Sequence, residues 1–308
     1  DVTSKGRLIL VNSGLSSAIV DIEIWNEIGV QPAKAVTIKA NSYSEIGIDS
    51  LAPGSRSVVI KTSTRAGRVT SYAIDERGRG LKSLGGDMVN ASPDPSKEVV
   101  IPAIPHMKRS GKALSHTLRV IAPGDVDARI SVELISTKGS FVPFGFDDRA
   151  VKAGIVTEIP LNPELVPSTF ALKITSDRPI VASVYSSTYA DGKSDFVWST
   201  STAEMKEYSL AVSGLAPTLV FAGEKISISL SVLYTNKKEK KLTITGEGIA
   251  TFKVPDNART VHFTKVSDKT VGGALISTQS GFGYLPLNPG SELTRVLLPS
   301  ANIRVLNP

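Results

Sequence analysis

Three stretches decide the fold: "AIVDIEIW" (18–25), "ARISVELI" (128–135) and "ISISLSVLY" (226–234). In each, apolar residues take every second position: Val20, Ile22 and Ile24, then Ile130, Val132 and Leu134, then Ile228, Leu230 and Val232. Period two puts such residues on one buried face of a sheet and their polar neighbours outside, whereas a helix needs 3.6. Each run follows an apolar stretch that opens at Leu8, Leu118 or Leu219 and ends in a small turn, "VNSG", "IAPG" or "FAG". A chain that repeats its own order of signals is read first by that repeat.

The recurrence continues downstream. "IKANSYSEI" (38–46), "VKAGIVTEI" (151–159) and "FKVPDNARTV" (252–261) each predict a short strand, a turn and a strand. "KTSTRAGRV" (61–69), "ITSDRPIV" (174–181) and "KVSDKTV" (265–271) share turn-forming Ser, Asp, Gly and Pro beside a basic residue. From Lys39 to Ser63 and from Lys152 to Ser176 is 24 residues, but from Lys253 to Ser267 only 14, so the third copy has lost a loop equivalent to "DSLAPGS" (49–55). Apolar, proline-bearing stretches follow: "VVIPAIP" (99–105), "LAVSGLAP" (210–217) and "VLLPS" (296–300). Proline there favours an edge strand. About seven short strands per ~100 residues is the pattern of a β-sandwich. The expected architecture is all-β, with three tandem immunoglobulin-like β-sandwich domains at 1–105, 106–213 and 214–308. The tail from Ile303 to Pro308 reads either as a terminal strand pairing with a sheet edge or as the start of a fourth unit cut short.

Composition narrows the class. Of 308 residues, 41% are hydrophobic and 21% charged, which suits soluble globular domains. Zero cysteines exclude a disulfide scaffold, thiolate metal sites and thiol catalysis. No run reaches the ~18–20 apolar residues that span a bilayer as a helix. A net charge of +6 is mild for this length, so nucleic acid is not an expected partner. The sequence begins at Asp1 rather than Met, as expected of a processed or trimmed chain, so a leader or anchor would lie outside it.

The ordered series "LVNSGLSSAIVDIEI", "IKANSYSEIGIDSLAPGS", "GRVTSYAID", "LRVIAPGDVDARISVEL", "FVPFGFDDRAVKAGIVTEIPL", "ALKITSDRPIVASVY" and "GYLPLNP" resembles a family of actinobacterial envelope proteins known only as a domain of unknown function. The resemblance covers nearly the whole chain, though this copy is richer in Lys and Ser. It implies an N-terminally anchored, β-rich, extracytoplasmic protein, and it supplies no active-site residues.

Signals of catalysis are lacking. G-x-S-x-G, S-x-x-K and H-E-x-x-H do not occur, and the histidines at 106, 116 and 262 lack metal-ligand spacing. His106 and His116 flank "HMKRSGKALSH" and read as part of a surface linker; His262 reads as an exposed or rim residue of a strand. Asp147 and Asp148 read as a turn, since neighbours on a strand point to opposite faces. The glycines of "RGRGLKSLGG" (77–86) read as a hairpin loop rather than a phosphate cradle. The candidates that remain are surface features. Lys237, Lys238, Lys240 and Lys241 crowd one hairpin tip, while Arg65 and Arg68, with Arg77 and Arg79, suggest a second basic patch. Trp25 and Trp198 are candidate sugar-stacking platforms, with strand-end packing as the plainer alternative. The expected function is a non-catalytic exported scaffold, without a cofactor, that binds an envelope protein. The alternative is an accessory that binds cell-wall polysaccharide or another anionic polymer. Membrane contact is expected only through an anchor.

Overall fold

The structure, a computed structural model, describes residues 3–106, 108–109, 112–162, 168–190, 193–277 and 281–288. The first strands are β1 (Thr3–Ser4), β2 (Arg7–Asn12), β3 (Ala18–Asn26), β4 (Gly29–Ile38) and β5 (Ser42–Gly47). After a single helical turn, α1 (Ile48–Leu51), come β6 (Val58–Ala66), β7 (Thr70–Arg79) and β8 (Lys82–Val89). One sheet joins β5, β2, β7 and β8, with β1 also on β7; the other has the order β4–β3–β6. Leu8 and Leu10 of the first sheet meet Val20, Ile22 and Ile24 of the second in a shared core.

The central strands are β9 (Ser96–His106), β10 (Lys108–Arg109), β11 (Lys112–Ala113), β12 (Ser115–Ile121), β13 (Ala128–Ser136) and β14 (Gly139–Phe141). β15 (Arg149–Val151), β16 (Thr157–Leu161), β17 (Ser168–Ala190) and β18 (Lys193–Thr200) complete them. The last strands are β19 (Tyr208–Ala211), β20 (Thr218–Tyr234), β21 (Glu239–Lys253), β22 (Ala258–Val266), β23 (Val271–Ser277) and β24 (Phe282–Pro286). As period-two alternation predicts, the nine apolar positions of the three opening runs, on β3, β13 and β20, are all buried. The fold is all-β, built from several sheets packed face to face around buried apolar clusters.

Two expected turns are bends inside long strands. "FAG" does not reverse the chain: β20 continues through it, with a register shift between Gly223 and Lys225. Its first part pairs with β23 and its second with β22. Likewise "ITSDRPIV" lies within β17, whose register breaks between Thr175 and Ile180. Before the break β17 pairs with β13 and β9, and after it with β12 and β18. A bulge bends a strand and increases its twist, and Pro179 cannot donate to a ladder, so each strand passes from one layer to the other without a loop.

The proline-bearing strands belong to the sheets that follow them. β9, which contains "VVIPAIP", pairs along its length with β17, and Val99, Ile101 and Ile104 enter the central core. β19, at the start of "LAVSGLAP", pairs with β22. Proline marked the edge correctly, but its partners lie downstream in the sequence. "VLLPS" and Ile303–Pro308 lie outside the described residues, as does most of "NPELVP" (162–167).

Candidate functional site

The first and central groups meet along a cleft of about 1140 Å³. Val58–Thr62 of β6, Ser71–Asp75 of β7 and the connection Val89–Pro95 line one part of it; Arg119, Ser183 and Trp198 line another. Thr62 Oγ1 and Ser71 Oγ, 3.0 Å apart, tie its two sheets together.

Its polar floor is a chain of matched groups. Asp75 and Arg77 lie two apart on β7, hence on one sheet face. Arg77 Nη2 donates to Asp75 Oδ2 at 2.9 Å, and its guanidinium lies 4.3 Å from the centre of the Tyr185 ring. Trp198 Nε1 donates to the same carboxylate at 3.0 Å, while Trp198 N donates to Asp87 Oδ2 at 2.7 Å. Arg119 lies 4.5 Å from the centre of the Trp198 ring, donates to Glu158 Oε1 at 2.6 Å and reaches the Val58 carbonyl at 3.2 Å.

Burial sets the electrostatics. It pushes the Asp87 carboxyl up to about 6, helped by the charges of Asp195 and Asp75 and opposed by the Trp198 and Met88 amides. Burial works against the Arg77 charge, but the hydrogen bond and ion pair to Asp75 more than offset it. For Arg119 burial prevails over Glu158 and lowers the pKa, from a value high enough that the guanidinium stays charged. Arg77 is matched by Asp75 and Arg119 by Glu158, whereas Asp87 meets only backbone amides and like charges, and the arrangement joins two sheet groups in a defined orientation. Such pairs contribute to specificity more than to net stability, yet breaking one by removing a partner costs ~3–5 kcal/mol.

β18 also connects all three groups. Pairing with β17, it has Gly85 of β8 on one side, where an added Cβ would meet Asp195 Oδ1 at 2.9 Å. On the other side, Phe282 N donates to Asp195 Oδ2 at 3.3 Å and Tyr284 Oη donates to the Thr200 carbonyl at 2.8 Å. Asn90 Nδ2, in the sequon-like "NAS", donates to the Tyr284 carbonyl at 3.0 Å and so joins the first group to the third. Ala103, Ala171, Val197, Val220, Leu275 and Tyr284 form a buried apolar cluster between the central and third groups.

Neither tryptophan offers an open face. Trp25 is buried with Ile121 and Val156 between the first and central groups, and Trp198 lies under Arg119. Both therefore pack, which corrects the expectation of sugar platforms. The arginines do not form one patch. Arg65 is engaged with Asp21 through Nε at 3.0 Å and Nη2 at 2.6 Å, and Arg77 is in the cleft floor. Arg68 and Arg79 are exposed. Lys237, Lys238, Lys240 and Lys241 are exposed on the β20–β21 hairpin, where Lys237 takes φ 65°. Asp148 takes φ 50° and pairs with Arg129 at 2.7 Å, as suits a turn.

His106 and His116 are not linker residues on the surface. Both are buried, with His106 Nδ1 3.0 Å from His116 Nε2 and His116 Nδ1 2.9 Å from Ser186 Oγ. Both rings meet the Phe170 ring edge-on. Burial, then the charge of His106, lowers the His116 pKa to about 4. A flexible linker predicts solvent at both ends, but β9 and β12 run into facing layers on either arm of β17 and bring the two rings inside. Sequence reasoning also missed Asp75, Asp87 and Arg119; the available signal was the polar pair Asp75 and Arg77 on one face of β7.

Residues 1–255 match the model of a family of unknown function, DUF5719. The chain belongs to that family. No curated protein matches it. A solved structure, Thermotoga maritima 1070, aligns over 35% of this chain and 95% of its own at 14% identity, with a TM-score of 0.29, and carries no argument about fold or function. Membership in the family adds no activity to what the geometry shows.

Proposed function

We propose that the chain is a non-catalytic scaffold of the cell envelope, with three tandem immunoglobulin-like units held as one body, presenting strand edges and loop tips to protein partners. The observation that carries this reading is the joining of the groups: the cluster around Ala103 and Leu275, the tryptophan contacts and the Asp75–Arg77–Trp198–Arg119 network all spend side chains on fixing one group against another. An actinobacterial, extracytoplasmic setting is supported by the sequence resemblance and is compatible with a cysteine-free chain. The test is crosslinking in intact cells, followed by fractionation and mass measurement of the complexes. A stoichiometric protein partner in the extracytoplasmic fraction is expected. Saturable polysaccharide binding at physiological salt, with no protein partner, would instead favour the accessory reading, which now rests on the exposed lysine tip alone.

A further inference from the structure

The cleft holds a buried hydroxyl that the fold itself does not use. Thr200 is 2% exposed and lines the cleft, yet its Oγ1 has no hydrogen-bond partner among the described residues. Its neighbour Ser199, on the opposite face of β18, shows the usual arrangement and donates to the Ala103 carbonyl at 2.8 Å. A buried polar atom without a partner lowers stability, so native chains keep few of them.

Strand register places three more polar side chains beside it. Glu158 of β16 pairs with Arg119 of β12, Arg119 with Ser183 of β17, and Ser183 with Thr200 of β18. Directly paired residues share a sheet face, so these four form one row across four strands. Arg119, Ser183 and Thr200 of that row line the cleft. Arg119 gives Nε and Nη2 to Glu158 and Nη1 to the Val58 carbonyl. A guanidinium carries five N–H groups, so among the described residues two are left for a further acceptor. Burial lowers the Arg119 pKa despite Glu158, which leaves its positive charge under-compensated.

The adjoining row on the same face, Ile121 with Val181, is apolar, and Val58, Val59 and Ile60 of β6 line the cleft from the first group. A polar row beside an apolar wall, in a cleft of about 1140 Å³, suits a small amphipathic molecule. Its head must accept hydrogen bonds, because a guanidinium only donates and both hydroxyls can donate with it. One negative charge fits better than two: Asp49, Asp75 and Asp94 also line the cleft and repel a dianion. We propose that the cleft binds a small monocarboxylate with an apolar body, its head on Arg119, Ser183 and Thr200 and its body along Ile121, Val181 and Val58–Ile60. This inference goes beyond the scaffold reading and does not depend on it.

The test is titration of the full chain with octanoate, octylamine and acetate, read by tryptophan fluorescence. Trp25 and Trp198 are the chain's two tryptophans and both line the cleft, so occupancy changes their emission. Octanoate is expected to saturate the signal at one molecule per chain. Octylamine, with the same body and the opposite charge, and acetate, with the head alone, should each bind at least tenfold more weakly. Thr200→Val keeps the shape and removes the hydroxyl, so octanoate affinity should fall about tenfold, as for a lost hydrogen bond to a charged group. The same variant should melt no lower than the native chain, because the hydroxyl it removes has no partner in the fold. Thr200→Ser should restore the affinity. No saturation by octanoate would overturn the proposal and leave solvent alone to satisfy Thr200. Octylamine binding as tightly as octanoate, or Thr200→Val binding octanoate as the native chain does, would also overturn it. So would a Thr200→Val chain that melts several degrees lower, since its hydroxyl would then serve the fold.

Discussion

The indole of Trp198 donates to Asp75 Oδ2 at 3.0 Å across 123 residues of sequence, and that bond links the central sheets to the first. The carboxylate also receives Arg77, so the indole completes a charge-assisted arrangement that water serves poorly in a partly buried floor. Trp198→Phe keeps the ring under Arg119 but removes the donor. A loss of about 2 kcal/mol is expected, typical of a hydrogen bond to a charged group. Trp25→Ala is expected to cost more, about 3–5 kcal/mol, because it empties an apolar contact. Denaturant unfolding measures both; unchanged midpoints would mean that these groups do not hold the sheets together.

His116 makes stability depend on pH in a known direction. Its folded pKa, about 4, lies below the ordinary 6.5, so the unfolded chain takes up the proton first. The full contribution is present above pH 6.5 and is lost as pH falls towards 4, on the order of 3 kcal/mol. Neutral His116 donates through one ring nitrogen and accepts through the other, which fits its place between Ser186 and His106. In His116→Gln, the fall in unfolding free energy between pH 6.5 and 4 should shrink relative to the native chain. An equally steep fall in both would assign the effect to other groups.

Asp87 works in the opposite sense. Its folded pKa of about 6 exceeds the ordinary 3.8, so its contribution is complete below pH 3.8 and lost as pH rises through 6. Asp87→Asn keeps an oxygen for the Trp198 amide and removes the buried charge. The variant should gain on the order of 1–2 kcal/mol at pH 7.5, a value discounted for the solvent Asp87 still meets, and nothing at pH 3.5. Native Asp87 and His116 therefore offset one another between pH 4 and 6, and each variant should expose the slope of the other. A Asp87→Asn chain no more stable at pH 7.5 than the native one would contradict this.

The lysine tip should matter little to folding. Lys237 and Lys238 lie in the turn and Lys240 and Lys241 on the first paired residues of β21, all exposed, so replacing all four with Gln should change stability by less than ~1 kcal/mol. Association with anionic vesicles, where it occurs, should weaken with salt and vanish in this variant. Binding that survives both salt and the replacement would place the anion-binding surface elsewhere.

Period two was legible because it follows directly from the pleat: the side chains of β3, β13 and β20 alternate in burial as they alternate in polarity. Turns bearing Gly or Asn were equally plain, as at Asn41 and Gly154, which take positive φ. Partnership was not legible. "VVIPAIP" shows an edge strand by its proline, but whether it pairs backward or forward depends on long-range contacts that no local pattern encodes. The buried histidines were misread for the same reason: ten residues apart in sequence, they meet only because β17 carries both their strands. The network around Trp198 draws Asp75, Arg119 and Glu158 from three strands, so its charges read as surface until the sheets are assembled.

Gly273 tests how firmly the central and third groups are joined. An added Cβ would meet Tyr284 Cε2 at 2.7 Å and Ala103 Cβ at 2.8 Å, both closer than real Cβ contacts. Its φ is not in the left-handed region, so alanine there is strained by crowding and not by the backbone. Ala103 and Tyr284 are themselves buried in the cluster between the groups, and neither can retreat without opening it. Gly273→Ala should therefore cost about 1–3 kcal/mol, as overpacking does. Gly47 has φ −62° and nothing within 4 Å of an added Cβ, so Gly47→Ala is a matched control expected to be near neutral. Calorimetry on both decides the matter: a Gly273 variant that melts with its control would mean that the groups slide freely, and the single-body scaffold would lose its main physical support.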